Sequence, residues 1–121
     1  MNAEITSRKI EKENEPYVCV NIAACICAKD GVISEVEENT MFRILRERFP
    51  DFTADQFELA LTEYFNSNEQ IEDYLALVGK VELQRFTLYL AEASASADGL
   101  EIRENIALEK VYVIWGIDRN V

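Results

Sequence analysis

The sequence predicts an all-α domain, a compact bundle of about six to seven helices. Apolar residues recur at three-to-four spacing along most of the chain, and only four Gly and two Pro interrupt the pattern. A protein of many short strands needs more of these turn-forming residues between its strands. The chain has 121 residues, 49% of them hydrophobic, which suits one core, and we therefore expect a single domain.

The chain starts with a charged segment, residues 1–15, in which only Ile5 and Ile10 are apolar candidates. We interpret it as a solvated helix or a loose arm that precedes a domain covering residues 16–121. Pro16 suits the first turn of a helix. Nearly every side chain from residue 17 to residue 28 is apolar, which predicts a central helix buried on most of its circumference.

A helical hairpin follows from the local signals after residue 28. Gly31 can adopt the left-handed conformation that ends helices. Ser34 and Glu37 form a capping box, in which the hydroxyl and the carboxylate satisfy free N–H groups at the start of the next helix. That helix ends before Pro50.

The later helices are marked in the same way. Thr53 and Gln56 form a second capping box, and Phe52 can pack on Phe57 as a hydrophobic staple. The expected buried stripe of this third helix comprises Phe57, Ala60, Leu61, Tyr64 and Phe65. A short helix over 71–78 and a long one over 80–97 come next. The last helix carries Ile102, Ile106, Val113 and Trp115 and is closed by Gly116.

The charge balance restricts the possible partners. The chain has 23 acidic and 12 basic residues, a formal net charge of -11, and no histidine. Nucleic acids and anionic membranes are disfavoured, whereas cations or a basic protein surface are favoured. The absence of histidine removes the commonest general base and metal ligand, but carboxylates can still bind hard cations.

The cysteines and the apolar segments indicate the compartment. Cys19, Cys25 and Cys27 are an odd, clustered set, which makes a poor disulfide framework. We interpret them as small buried apolar residues, with a redox sensor as the alternative. The chain start lacks the apolar region of a signal peptide, and residues 17–28 are too few to span a bilayer. We therefore expect a cytoplasmic protein that does not insert into a membrane. The sequence also contains no recognisable cofactor-binding motif.

A repeat relates the two long apolar helices, because each ends in an alanine-rich turn followed by Asp-Gly. The second pair, at Asp98, lies 68 residues after the first, at Asp30. A helix follows each turn and carries an acidic residue in its first turn, Glu37 in one copy and Glu104 in the other. In the second copy Ile102 sits one residue late and Arg103 replaces the capping Ser, so that Glu101 is an alternative to Glu104.

This repeat resembles the tellurite-resistance TerB-like family, whose helical domain repeats an Ala-x-x-Asp-Gly-x-Ile-Ser-x-x-Glu hairpin. The first copy matches this pattern at Asp30, Gly31, Ile33, Ser34 and Glu37. The resemblance covers roughly residues 17–117. It implies two hairpins that meet around a shared acidic patch, with divalent-metal binding at that patch and a role in stress resistance.

Asp30 and Asp98, taken singly, are explained by the chemistry of tight turns. Together with Glu37 and Glu104 they are candidate oxygen ligands for Ca²⁺, Mg²⁺ or Mn²⁺. We therefore expect a non-enzymatic module that binds a divalent cation, a protein partner, or both. Two alternatives stay open, a metal-dependent hydrolase using the same carboxylates and a structural interaction domain without metal.

Overall fold

A computed structural model describes residues 14–28 and 31–119, and within these ranges it contains six helices and no strand. The helices are α1 (Glu15–Cys27), α2 (Glu35–Arg48), α3 (Ala54–Phe65), α4 (Ile71–Leu75), α5 (Val81–Ala95) and α6 (Ile102–Trp115). The predicted all-α class is confirmed. The first helix begins at Glu15, one residue before the position at which the sequence suggested the domain starts.

Helix α1 occupies the centre of the bundle and contacts each of the other five helices. From Val18 to Cys27 every residue except Asn21 is buried. The small side chains in this segment let neighbouring helices approach closely on several sides. The predicted central helix is therefore confirmed, and the three cysteines on it are buried and form no disulfide with any residue that the structure describes.

Helix α5 is the counterpart of α1 in the sequence repeat and packs directly against it. Cys19 Sγ on α1 lies 3.3 Å from Thr87 Oγ1 on α5, and these residues are 68 positions apart, as are the two Asp-Gly turns. Ile22 and Leu90, related by the same spacing, are both fully buried. Equivalent positions of the sequence repeat therefore meet where α1 packs against α5.

Helices α2 and α6 are the second pair of the repeat, and three buried residues in each follow the same spacing. These residues are Glu37, Met41 and Ile44 in α2, and Glu104, Leu108 and Val111 in α6. Leu45 in α2 and Ala107 in α6 are buried beside this shared i, i+4, i+7 face. The two hairpins are therefore built alike.

The turn before α6 differs from the sequence prediction. Glu101, not Arg103, is the N-cap residue of α6, whereas Ser34 is the N-cap of α2. Gly31 and Gly99 adopt left-handed φ angles of +95° and +102°, and the helix begins sooner after the second glycine than after the first. The predicted shift to a later register is wrong, because the second turn is one residue shorter and not longer.

Several local predictions are confirmed and one is not. The capping boxes are present, since Ser34 Oγ accepts from the N–H of Glu37 at 3.1 Å and Thr53 Oγ1 accepts from that of Gln56 at 3.1 Å. Phe65, however, is 51% exposed, so its predicted place in the buried stripe of α3 is wrong.

Three of the apolar residues that predicted helix α6 lie on its outer, solvent-facing side. Ile102, Ile106 and Val113 are 79%, 62% and 76% exposed. Helix α6 carries apolar residues on both sides. The side that faces the core is the one with the capping residue Glu104, whose carboxylate is buried. The end of the helix is held by Trp115, whose Nε1–H donates to the carbonyl of Leu75 at 3.2 Å.

Two alanine substitutions on α6 test this orientation. Leu108→Ala, at a fully buried position, should lower the free energy of unfolding by about 3 kcal/mol, since it leaves a cavity. Ile106→Ala, at an exposed position on the same helix, should change it by less than about 0.5 kcal/mol. Urea unfolding followed by circular dichroism measures both, and equal losses would contradict the orientation of α6.

Candidate carboxylate site between the two hairpins

Two glutamates occupy equivalent positions at the starts of α2 and α6. Each is the third residue of its helix, where backbone N–H groups lack partners within the helix. The N–H of Ser34 donates to Glu37 Oε1 at 3.0 Å, and that of Glu101 donates to Glu104 Oε1 at 3.0 Å. These bonds turn both carboxyl groups back over the helix starts.

The two carboxyl groups meet at the junction of the hairpins. Glu37 and Glu104 are only 4% and 3% exposed, and they lie close enough that the charge of Glu104 acts on Glu37. Two ionised carboxylates held close together repel each other, which favours protonation of one of them. Like Cys19 and Thr87, Glu37 and Glu104 occupy corresponding positions in the two halves of the sequence repeat.

The surroundings of Glu37 favour its neutral form. The pKa of Glu37 is raised from 4.5 to about 7, and burial is the largest cause. The negative charges of Asp98 and Glu104 contribute to this increase, while the hydrogen bond from the backbone of Ser34 opposes it. The carboxyl pair therefore holds a proton close to neutral pH, in a place where two helix N-termini attract negative charge.

Cys27 lies beside the pair, at the end of α1, and is 1% exposed. Burial raises the pKa of its thiol, and the charges of Glu37, Glu104 and Asp98 raise it further. The thiol therefore stays protonated and acts as an apolar neighbour rather than as a nucleophile or a ligand. The sequence analysis interpreted Cys27 as a core residue and did not predict that it lies near the carboxyl pair. Its position just before the first Asp-Gly turn could have indicated this proximity.

The structure brings together part of the predicted ligand set. Glu37 and Glu104 are in contact, and Asp98, exposed in the turn before α6, acts on Glu37 through its charge. Glu101 is the exposed N-cap, so Glu104 is the residue that faces Glu37. Asp30 lies outside the described residues.

Among the residues that the structure describes, no three Cys, Asp or Glu side chains are arranged as a group able to hold a metal ion. The described geometry therefore supplies a carboxyl pair and not a complete coordination sphere. The four-residue site stays a prediction.

Comparison of the chain with family models, with curated proteins and with solved structures finds no match in any of the three. The TerB-like resemblance therefore stays a prediction that depends on the two turns. In the described part of the chain, none of the helices has the length and apolar character needed to cross a membrane.

The proton held by the carboxyl pair should make the stability of the metal-free protein depend on pH. Between about pH 4.5 and 7 the folded state binds more protons at Glu37 than the unfolded state, so this group's contribution should fall as pH rises. Glu37→Gln keeps a donor toward Glu104 at every pH. At pH 8 the variant should be more stable than wild type, by up to about 3 kcal/mol.

Urea unfolding at pH 5 to 8 in the presence of a chelator measures this dependence. Glu35→Gln is the matched control, because Glu35 is exposed in the first turn of the same helix. Parallel pH profiles for wild type and Glu37→Gln would show that the pair holds no proton.

Proposed function

We propose that this protein is a non-enzymatic, cytoplasmic helical module that binds a divalent cation between its two hairpins and acts through a protein partner. The observation that carries the proposal is the buried pair formed by Glu37 and Glu104, one from each hairpin. Such a pair needs a positive charge between its oxygens, and a hard cation can take the place of the shared proton.

The donor set suits a cation that keeps part of its water shell. Glu37 and Glu104 supply carboxylate oxygens, and Asp98 with Asp30 could add to them from the two turns. Mg²⁺ is commonly held by one or two carboxylates together with water, whereas Ca²⁺ takes six to eight oxygen ligands. We therefore favour Mg²⁺ or Mn²⁺ over Ca²⁺. The TerB-like resemblance implies a metal at the same place.

The groups near the pair support binding rather than catalysis. The chain has no histidine to act as a base near neutral pH. The thiol of Cys27 is buried, and its pKa is raised. The same resemblance implies a role in stress resistance, and the net charge of -11 favours a basic protein partner over nucleic acid.

A cation that binds only the folded state should raise the melting temperature. For a dissociation constant near 1 mM, 10 mM Mg²⁺ or Mn²⁺ adds about 1.4 kcal/mol, which corresponds to roughly 5 °C for a domain of this size. Glu37→Gln and Glu104→Gln should lose most of this shift, since each removes a charged ligand. Thermal unfolding at pH 8 with each of the three cations measures it.

Glu35→Gln again serves as the control and should keep the full shift. Asp30→Asn combined with Asp98→Asn tests whether the turns supply further ligands. The cation proposal fails if wild type and Glu37→Gln respond equally, or if neither responds at millimolar cation. Cation-dependent hydrolysis of a phosphoester by the wild type, lost in Glu37→Gln, would contradict the non-enzymatic part.

A further inference from the structure

The outer side of α6 has the residue spacing of a helix-pairing seam. Ile102, Ile106, Glu109 and Val113 follow one another at intervals of four, three and four residues, the spacing of heptad a and d positions. All four are exposed, although three are β-branched apolar residues. A helix that leaves such a stripe in water has the surface of one member of a helix pair.

A groove runs along one flank of this seam, between α4 and α6. Its volume is about 330 Å³, and its lining is mainly apolar. The groove is lined by Ile71, Arg103, Ile106, Ala107 and Lys110. Arg103 and Lys110 are seven residues apart and thus lie on the same flank, so the groove has an apolar floor and a basic edge.

Among the described residues, the basic edge consists of one unpaired and one paired side chain. Glu109 lies 2.7 Å from Arg119, and Lys110 lies 2.6 Å from Glu72. Glu109, Lys110 and Glu72 are all about half exposed, so a carboxylate of a partner can compete with Glu72 for Lys110. Arg103 makes no ion pair with any residue that the structure describes.

We propose that this surface binds an amphipathic helix of a partner protein whose apolar stripe lies on the α6 seam and whose acidic flank meets Arg103 and Lys110. Such a helix satisfies both parts of the surface at once. The proposal depends neither on cation binding nor on the basic partner proposed above, because it concerns a locally basic surface on the opposite side of α6 from Glu104.

A second copy of this chain fits the surface less well. In an antiparallel pair of α6 helices, the basic flank of one copy would face the same basic flank of the other. Like charges in that position disfavour the pair. In a parallel pair, the basic flank would face Asn105 and Tyr112, which offer no negative charge. A partner helix with an acidic flank supplies the negative charge that a second copy lacks opposite Arg103 and Lys110.

The test uses a synthetic helical peptide with leucine at the a and d positions and glutamate on both flanks, and a matched peptide with lysine in place of glutamate. Fluorescence anisotropy of the labelled peptides is measured against the full chain. The glutamate peptide should bind saturably, and Ile106→Glu and Arg103→Glu should each weaken it by at least about tenfold. Both sites are exposed, so the fold should be retained.

Leu59→Glu, at a half-exposed residue of α3, is the matched control, because it adds the same charge away from the groove. It should leave binding of the glutamate peptide within about twofold of wild type. The proposal is overturned if the glutamate peptide does not bind at millimolar concentration, or if Leu59→Glu weakens it as much as Ile106→Glu does. If the lysine peptide binds more tightly than the glutamate peptide, and Ile106→Glu abolishes that binding, the proposal of an acidic partner is overturned. Sedimentation showing a wild-type dimer that Ile106→Glu dissociates would assign the surface to a second copy.

Discussion

The packing of α1 against α5 is the constraint on which the rest of the structure depends. Both helices are buried on several sides, and they meet where Cys19 contacts its own counterpart, Thr87. Because the two helices pack through equivalent positions, the turns that follow them lead to the starts of α2 and α6. The proximity of Glu37 to Glu104 depends on this packing.

The carboxyl pair costs folding free energy in a domain of this size, because burial penalises the charged form of each glutamate. Three features of the structure offset part of this cost. A backbone N–H donates to each carboxyl group, two helix N-termini face the pair, and the raised pKa of Glu37 favours its neutral form. A purely structural cap would not require the second carboxyl group to be close, and this proximity is the basis of the proposed cation site.

The features that the sequence predicted correctly are those that depend on interactions between residues close together in the chain. The helical class, the capping boxes at Ser34 and Thr53 and the burial of α1 depend on periodicity and on contacts within a few residues. The register of the second turn was not predictable in this way, since Leu100 alone separates Gly99 from the N-cap. The buried face of α6 was also ambiguous, because apolar residues lie on both sides of this helix.

The candidate site was predicted only as a convergence of four acidic residues. The repeat indicated that Glu37 and Glu104 occupy equivalent positions, but their proximity depends on how the two hairpins pack together, which is a property of tertiary structure. The proximity of Cys27 depends on the same packing. The central claim is that this pair shares a proton which a hard cation can replace.

Carbon-13 NMR of the glutamate side-chain carboxyl groups tests that claim most directly, by pH titration with and without Mg²⁺. Glu37 should titrate near pH 7 without the cation and at a lower pH with it, because the cation favours the ionised form. Titration of Glu37 at the pH of an ordinary carboxyl group would contradict the protonated pair. A raised titration of Glu37 that Mg²⁺ and Mn²⁺ leave unchanged would contradict the cation site.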